Sequence, residues 1–224
     1  MNIQSNGHEH EFEPAFGLPE PLPKGEQILW QGAPDFKDMA LRVFHVRKVA
    51  IYFAIMIASR GIYLGFSGAG MLEISKGVLL VTFLAAIALA ALTTLAWLTA
   101  RTAAYTLTDQ RVVMRIGIVL TLTFNLPLKR LSTAGLQVNR GGFGDIPLAL
   151  SGGNRIGWLN LWPHARPWRL AQPEPMLRCI PEAQAVAAQL QQAWKAINGP
   201  GAAAASAALS AAANTETHWQ AKPT

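Results

Sequence analysis

The sequence predicts an α+β membrane protein, in which a two-helix transmembrane hairpin is followed by a cytoplasmic domain of strands, a small barrel or sandwich, capped by a C-terminal helix. Three observations carry this expectation. Only 14% of the 224 residues are charged while 51% are hydrophobic, against about 25% charged in an average soluble protein. Two long apolar stretches lie in the first half of the chain. Beyond them the spacing of apolar residues changes from helical to alternating.

Residues 1–40 read as an acidic, Pro-rich arm. Two lysines stand against seven carboxylates, a net −5, and Pro14, Pro19, Pro21, Pro23 and Pro34 oppose regular structure, so the arm is expected to be irregular up to about Asp35. His8 and His10 flank Glu9, but two histidines on a terminal arm do not make a metal site, and none is expected.

Residues 41–100 read as the hairpin. Residues 77–100 hold no charge, Pro, Asn or Gln over 24 positions, which at about 1.5 Å per residue crosses a hydrocarbon core of about 30 Å. The first span, about residues 47–66, is interrupted by Arg60, whose long stem lies toward the far end and can reach the headgroups or pair with the second helix. Gly-rich residues 67–76 supply the turn. Arg42, Arg47 and Lys48 precede the first span, Arg101, Arg111 and Arg115 follow the second, and only Lys76 lies near the turn. The positive-inside rule then puts both termini of this multi-pass chain in the cytoplasm. The arm has no apolar core of a cleavable signal peptide, so the first span is expected to be a retained anchor.

Residues 101–198 read as the sheet domain. Val112, Met114 and Ile116 share one face of an extended run, Arg111, Val113 and Arg115 the other, and Thr108, Asp109 and Gln110 supply turn chemistry. Leu120, Leu122, Phe124, Leu126 and Leu128 again alternate, and residues 116–128, although apolar, are too short for a third span. Residues 146–150 and 155–162 are expected strands, separated by Gly-rich pieces. A helix follows: Pro181 and Glu182 suit its first turn, Ala183, Val186, Ala187, Leu190, Trp194 and Ile197 form its stripe, and Gly199 ends it. Residues 199–224, an Ala-rich tail, are expected to be disordered.

Tyr105, Thr106, Leu107, Thr108, Asp109, Gln110, Arg111, Val112 and Val113, followed by Arg115, Gly117 and the run from Leu126 to Arg130, resemble the bacterial pleckstrin-homology-like domain found next to membrane hairpins. Gly25, Glu26, Ile28, Leu29, Trp30, Gln31, Gly32 and Pro34 resemble the short arm that precedes such hairpins. The whole order is similar to the PuhB family, from Leu18 to Pro23 through Phe44, His45, Val46, Arg47 and Lys48 to Trp168, Arg169, Leu170 and the run from Pro173 to Arg178. That resemblance covers about residues 17–198. It implies an assembly factor for the photosynthetic reaction centre in the inner (intracytoplasmic) membrane of a purple bacterium, with reaction-centre subunits and membrane lipid as partners and no enzyme activity or cofactor.

Chemistry-bearing residues agree with a binding role. Cys179, the single cysteine, excludes an intramolecular disulfide and is expected to be packed, and Gly141, Gly142 and Gly144 lack the Lys and Ser/Thr of a phosphate loop. Residues 101–178 hold ten cations against Asp109, Asp145 and Glu174, a net +7. A cationic face at a membrane suits anionic headgroups or a protein partner, so Arg111, Arg115, Lys129, Arg130, Arg166, Trp168 and Arg169 are the candidate lipid- or partner-binding residues. No nucleic-acid motif accompanies them. His45, at the cytoplasmic end of the first span, is placed where a bacteriochlorophyll magnesium could be ligated, or is a plain interfacial histidine. Ala85, Ala86, Ala88, Ala90 and Ala91 permit close helix approach, which serves the internal hairpin as readily as a homodimer. A general bacterial PH-domain protein that binds lipid or senses envelope state is the alternative function.

Overall fold

In a computed structural model the chain divides into two compact units, residues 35–101 and residues 1–34 with 102–224. The structure describes residues 17, 18, 20–139, 141–152 and 156–199. The expectations for residues 1–16, the two N-terminal histidines included, for Arg140 and Arg155, and for the tail beyond Gly199 lie outside them.

The first of these units is helical. Asp35 opens a short helix α1 (Phe36–Asp38), accepting from the Asp38 amide at 2.9 Å, and a π-helical turn Met39–Val43 follows. Helices α2 (Val46–Phe66) and α3 (Met71–Thr102) are long and apolar enough to cross a membrane. No residue of α2 is buried, and Ile55, Phe66, Leu79 and Phe83 are all more than half exposed. The turn is tighter than residues 67–76: the Ser67 and Ala69 amides bond back to the Tyr63 and Leu64 carbonyls, and Glu73 and Lys76 already belong to α3. Beside the turn the helices approach closely, since a Cβ on Gly77 would lie 2.7 Å from Leu64 Cδ1 and 3.5 Å from Arg60 Nε. Arg60 thus lies against α3, the helix-pairing alternative. Thr82, Thr93 and Thr99 donate to carbonyls four residues back, leaving these hydroxyls satisfied within the helix.

Among its described residues the other unit holds two four-stranded antiparallel sheets and two α-helices. The first sheet runs β1 (Ile28–Gly32), β2 (Ala104–Thr108), β3 (Arg111–Ile116), β4 (Leu122–Pro127). In the second, β7 (Gly144–Leu150) is central, flanked by β5 (Leu131–Ala134) and β6 (Gln137–Val138) along one edge and β8 (Met176–Ile180) along the other. Helix α4 (Trp158–Leu161) precedes β8 and helix α5 (Ala183–Asn198) follows it.

Alternation builds the core. Tyr105, Leu107, Val112, Met114, Ile116 and Leu126 from the first sheet meet Ile146, Leu148, Leu177 and Ile180 from the second, and Val186, Leu190 and Ala193 of α5 join them. Trp194 Nε1 donates to the Leu131 carbonyl at 2.9 Å and Asn198 Nδ2 to that of Leu128 at 3.3 Å, fastening the helix across the β4–β5 junction.

Of the two expected forms, barrel or sandwich, the sheets take the sandwich: among the described residues no strand of one sheet pairs with a strand of the other. Three expectations change. The arm is not irregular up to Asp35: β1 pairs with β2, Gln31 Nε2 bonds Thr106 Oγ1 at 2.9 Å, and Gly17 lies against Ala104 and Thr106, so all of β2 is buried. Within residues 155–162 the described part forms helix α4 in place of a strand, with Leu161 buried in the core. Finally, Pro181 and Glu182 precede α5, with Glu182 left-handed at φ 51° at the cap.

Candidate functional site

The seven candidate residues do not share one face. Arg111 and Arg115 lie on the outward side of β3 but four positions apart, about 13 Å at about 3.3 Å per residue. Arg111 pairs in register with Pro127, and the Leu128 amide donates to the Gln110 carbonyl at 3.0 Å, so Lys129 and Arg130 share the Arg111 end of the sheet. Arg115 lies at the other end, between Ala104 and Thr123. Arg166, Trp168 and Arg169 belong to the loop between α4 and β8, and His45 lies in the helical unit, exposed at the start of α2 with φ 53°.

Arg111 has an internal partner. Its Nε and one terminal nitrogen donate to the two Glu26 carboxylate oxygens at 2.8 and 2.9 Å, with the Glu26 side chain 5% exposed and that of Arg111 25%. Thr108 Oγ1 donates to the same carboxylate at 2.7 Å and accepts the Arg111 amide at 3.0 Å. Asp109 Oδ1 accepts the Gln27 amide at 3.0 Å, and the Asp109 amide returns a bond to the Gln27 carbonyl. Thr108, Asp109 and Arg111 are therefore a clamp on the arm, and Glu26 is the residue that charge counting missed. The sequence signal was a lone acid just before an apolar run, which no local rule connects to a motif more than eighty residues away.

The Trp168 loop is built differently. An Ala165–Pro175 bridge closes its base, with the Arg166 amide donating to the Glu174 carbonyl at 2.9 Å. Arg166 meets Glu174 Oε2 at 2.8 Å and Arg169 lies 3.7 Å from Oε1, so one carboxylate gathers both cations. At the tip Trp168 is 96% exposed with φ 63°, and Leu170 is 64% exposed. An indole and a leucine held in solvent beside two arginines form a surface suited to a partner or an interface.

Beneath this loop lies a pair that the sequence analysis did not single out. The Tyr105 hydroxyl and His164 Nδ1 are 2.6 Å apart, and the Arg178 amide donates to that hydroxyl at 3.4 Å. Tyr105 donates to Nδ1 when the ring proton is on Nε2 and accepts from it when the proton is on Nδ1. His164 Nε2 and Arg178 Nε are buried without a hydrogen-bond partner among the described residues, while another Arg178 nitrogen donates to the Pro163 carbonyl at 2.9 Å. Burial, with the Arg178 charge adding to it, pushes His164 down to about 3; burial pushes Tyr105 up. The ring is a neutral structural strut holding the loop base to β2. Cys179 is buried, and its amide donates to Asp145 Oδ1 at 2.8 Å.

A clamped N-terminal strand, an apolar helical hairpin and a two-sheet sandwich closed by a helix occur here in one chain, and the family description "Bacterial PH domain" matches residues 49–194. The chain belongs to the bacterial PH-domain family. The match takes in most of the hairpin as well as the sheets, but not β1. The chain is also 37% identical over 211 residues to a protein of Rhodobacter capsulatus described as an uncharacterized 23.7 kDa protein in the puhA 5′ region, covering 93% of this chain and 99% of that one. This similarity agrees with the resemblance to PuhB. No solved structure matches the chain.

Proposed function

We propose that this bacterial PH-domain protein is a non-enzymatic assembly factor for the photosynthetic reaction centre, anchored in the bacterial inner membrane by α2 and α3 with both termini cytoplasmic. One observation carries the reading: identity of 37% along nearly the full length of a protein in the puhA 5′ region, next to a reaction-centre gene. The helices support the anchor, because two long apolar runs that leave nearly all of their side chains unburied need a surrounding other than water. In this reading the Trp168 loop holds nascent reaction-centre subunits.

Deletion of the relative in Rhodobacter capsulatus, followed by complementation with this chain, tests the proposal. Reaction-centre content per membrane protein falls on deletion and returns with this chain but not with its Trp168→Ala, Leu170→Ala variant. An unchanged content after deletion overturns the assembly role and leaves a general PH-domain protein that binds lipid or envelope components. Capture of the tagged chain from mild-detergent extracts then identifies the subunit it holds.

A further inference from the structure

The β3–β4 hairpin ends in an apolar tip that no part of the proposed function uses. Between Arg115 and Lys129 the sequence has no charge. At the tip Val119 is 90% and Leu120 79% exposed, with Ile118 and Leu122 partly exposed beside them. The turn is built to present these side chains: Gly117 takes φ 123°, and a Cβ there would run into the Leu120 carbonyl. Only glycine closes the turn this tightly, which leaves three large aliphatic side chains outside the fold.

Register within the sheet fixes which end the tip occupies. Residue 102, the last of α3, leads through Ala103 into β2 at Ala104, which pairs with Arg115, and Arg115 with Thr123. β3 runs antiparallel to β2, so it carries the chain back to the end where β2 began. The Ile116–Leu122 rung lies one position further out, and residues 117–121 project beyond it. From Ala104 to Thr123 is two strand spacings, about 10 Å. This exposed apolar turn of the sheet domain thus stands beside the point at which the chain arrives from its apolar helix.

We infer that the 117–121 tip dips into the interfacial layer of the bilayer that holds α3, a second, non-covalent contact that fixes the orientation of the sheet domain on the membrane. The occupant is lipid because the apolar helix enters at this end of the sheet, and because exposed aliphatic side chains gain by leaving water at an interface. The inference rests on the anchor reading of the preceding section.

The test uses full-length protein in phosphatidylcholine–phosphatidylglycerol vesicles, with an environment-sensitive fluorophore on single introduced cysteines. Cys179 is buried, so the unsubstituted chain is the labelling control. The sites are Val119→Cys at the tip, Leu84→Cys on the exposed side of α3, and Lys129→Cys at the opposite end of the first sheet. Brominated acyl chains should extinguish fluorescence at 119 and 84 and leave 129 bright. If 84 is quenched and 119 is as bright as 129, the tip inference is wrong and the anchor stands. If 84 is unquenched as well, the anchor fails and takes the tip with it. A blue-shifted label at 119 that brominated lipid does not quench puts the tip against protein, a second copy or a client, and overturns the lipid contact.

Discussion

The helical hairpin and the sheet domain use the same apolar residues in opposite senses. In α2 and α3 each backbone bond closes within a few residues and the side chains point outward, with no buried residue in α2. In the sheet domain the apolar faces turn inward, and the contacts that hold them join distant parts of the chain, such as Glu26 with Arg111. The difference teaches where each region keeps its stability. Lipid, as proposed, supplies the medium of the helices, whereas the sheets depend on partners that the fold itself brings together. Damage to the sheets should therefore leave helicity of the hairpin intact.

The largest break is expected from Leu148→Ala, which empties a fully buried position between the sheets and costs about 2–5 kcal/mol. Denaturation followed by tryptophan fluorescence reads the loss, while far-ultraviolet dichroism keeps the helical signal of α2 and α3; simultaneous loss of both signals would end the comparison. Glu26→Ala comes next. Its cost is about 2 kcal/mol, below the roughly 3–5 kcal/mol for breaking a fully buried pair because the guanidinium is a quarter exposed. Amide exchange should accelerate in β1 before any other strand.

Tyr105→Phe removes the hydroxyl between His164 and the Arg178 amide and leaves both without a partner, for about 1–3 kcal/mol. The same strut predicts an acid response. His164 is held at about 3 by burial, against about 6.5 for an unfolded histidine. The native state favours the neutral ring, so the contribution is full above about 6.5 and is lost as pH falls from there toward 3. Denaturation midpoints should drop between neutral pH and about pH 4, less steeply in His164→Gln. The smallest effect belongs to Trp168→Ala: an indole in solvent contributes within about 0.5 kcal/mol to stability, so any phenotype should appear in partner capture and not in melting.

Sequence alone determined the two long apolar helices, the alternation of β3 and β4, the stripe of α5 and the resemblance to the PH-like family. Each is written in the spacing of neighbouring residues or in a contiguous motif. Tertiary structure decided the rest. It made residues 28–32 of the acidic arm an edge strand, turned residues 158–161 into a helix, clamped Arg111 onto Glu26, and distributed the basic residues among separate parts of the sheet domain. It also paired His164 with Tyr105 and set the apolar tip at the end of the sheet where the chain enters from α3. Periodicity says which face of an element is apolar, but strand partners, ion pairs and the end of a sheet at which a turn falls depend on register between segments far apart in the chain, and register is settled only when both faces of the sandwich are buried at once.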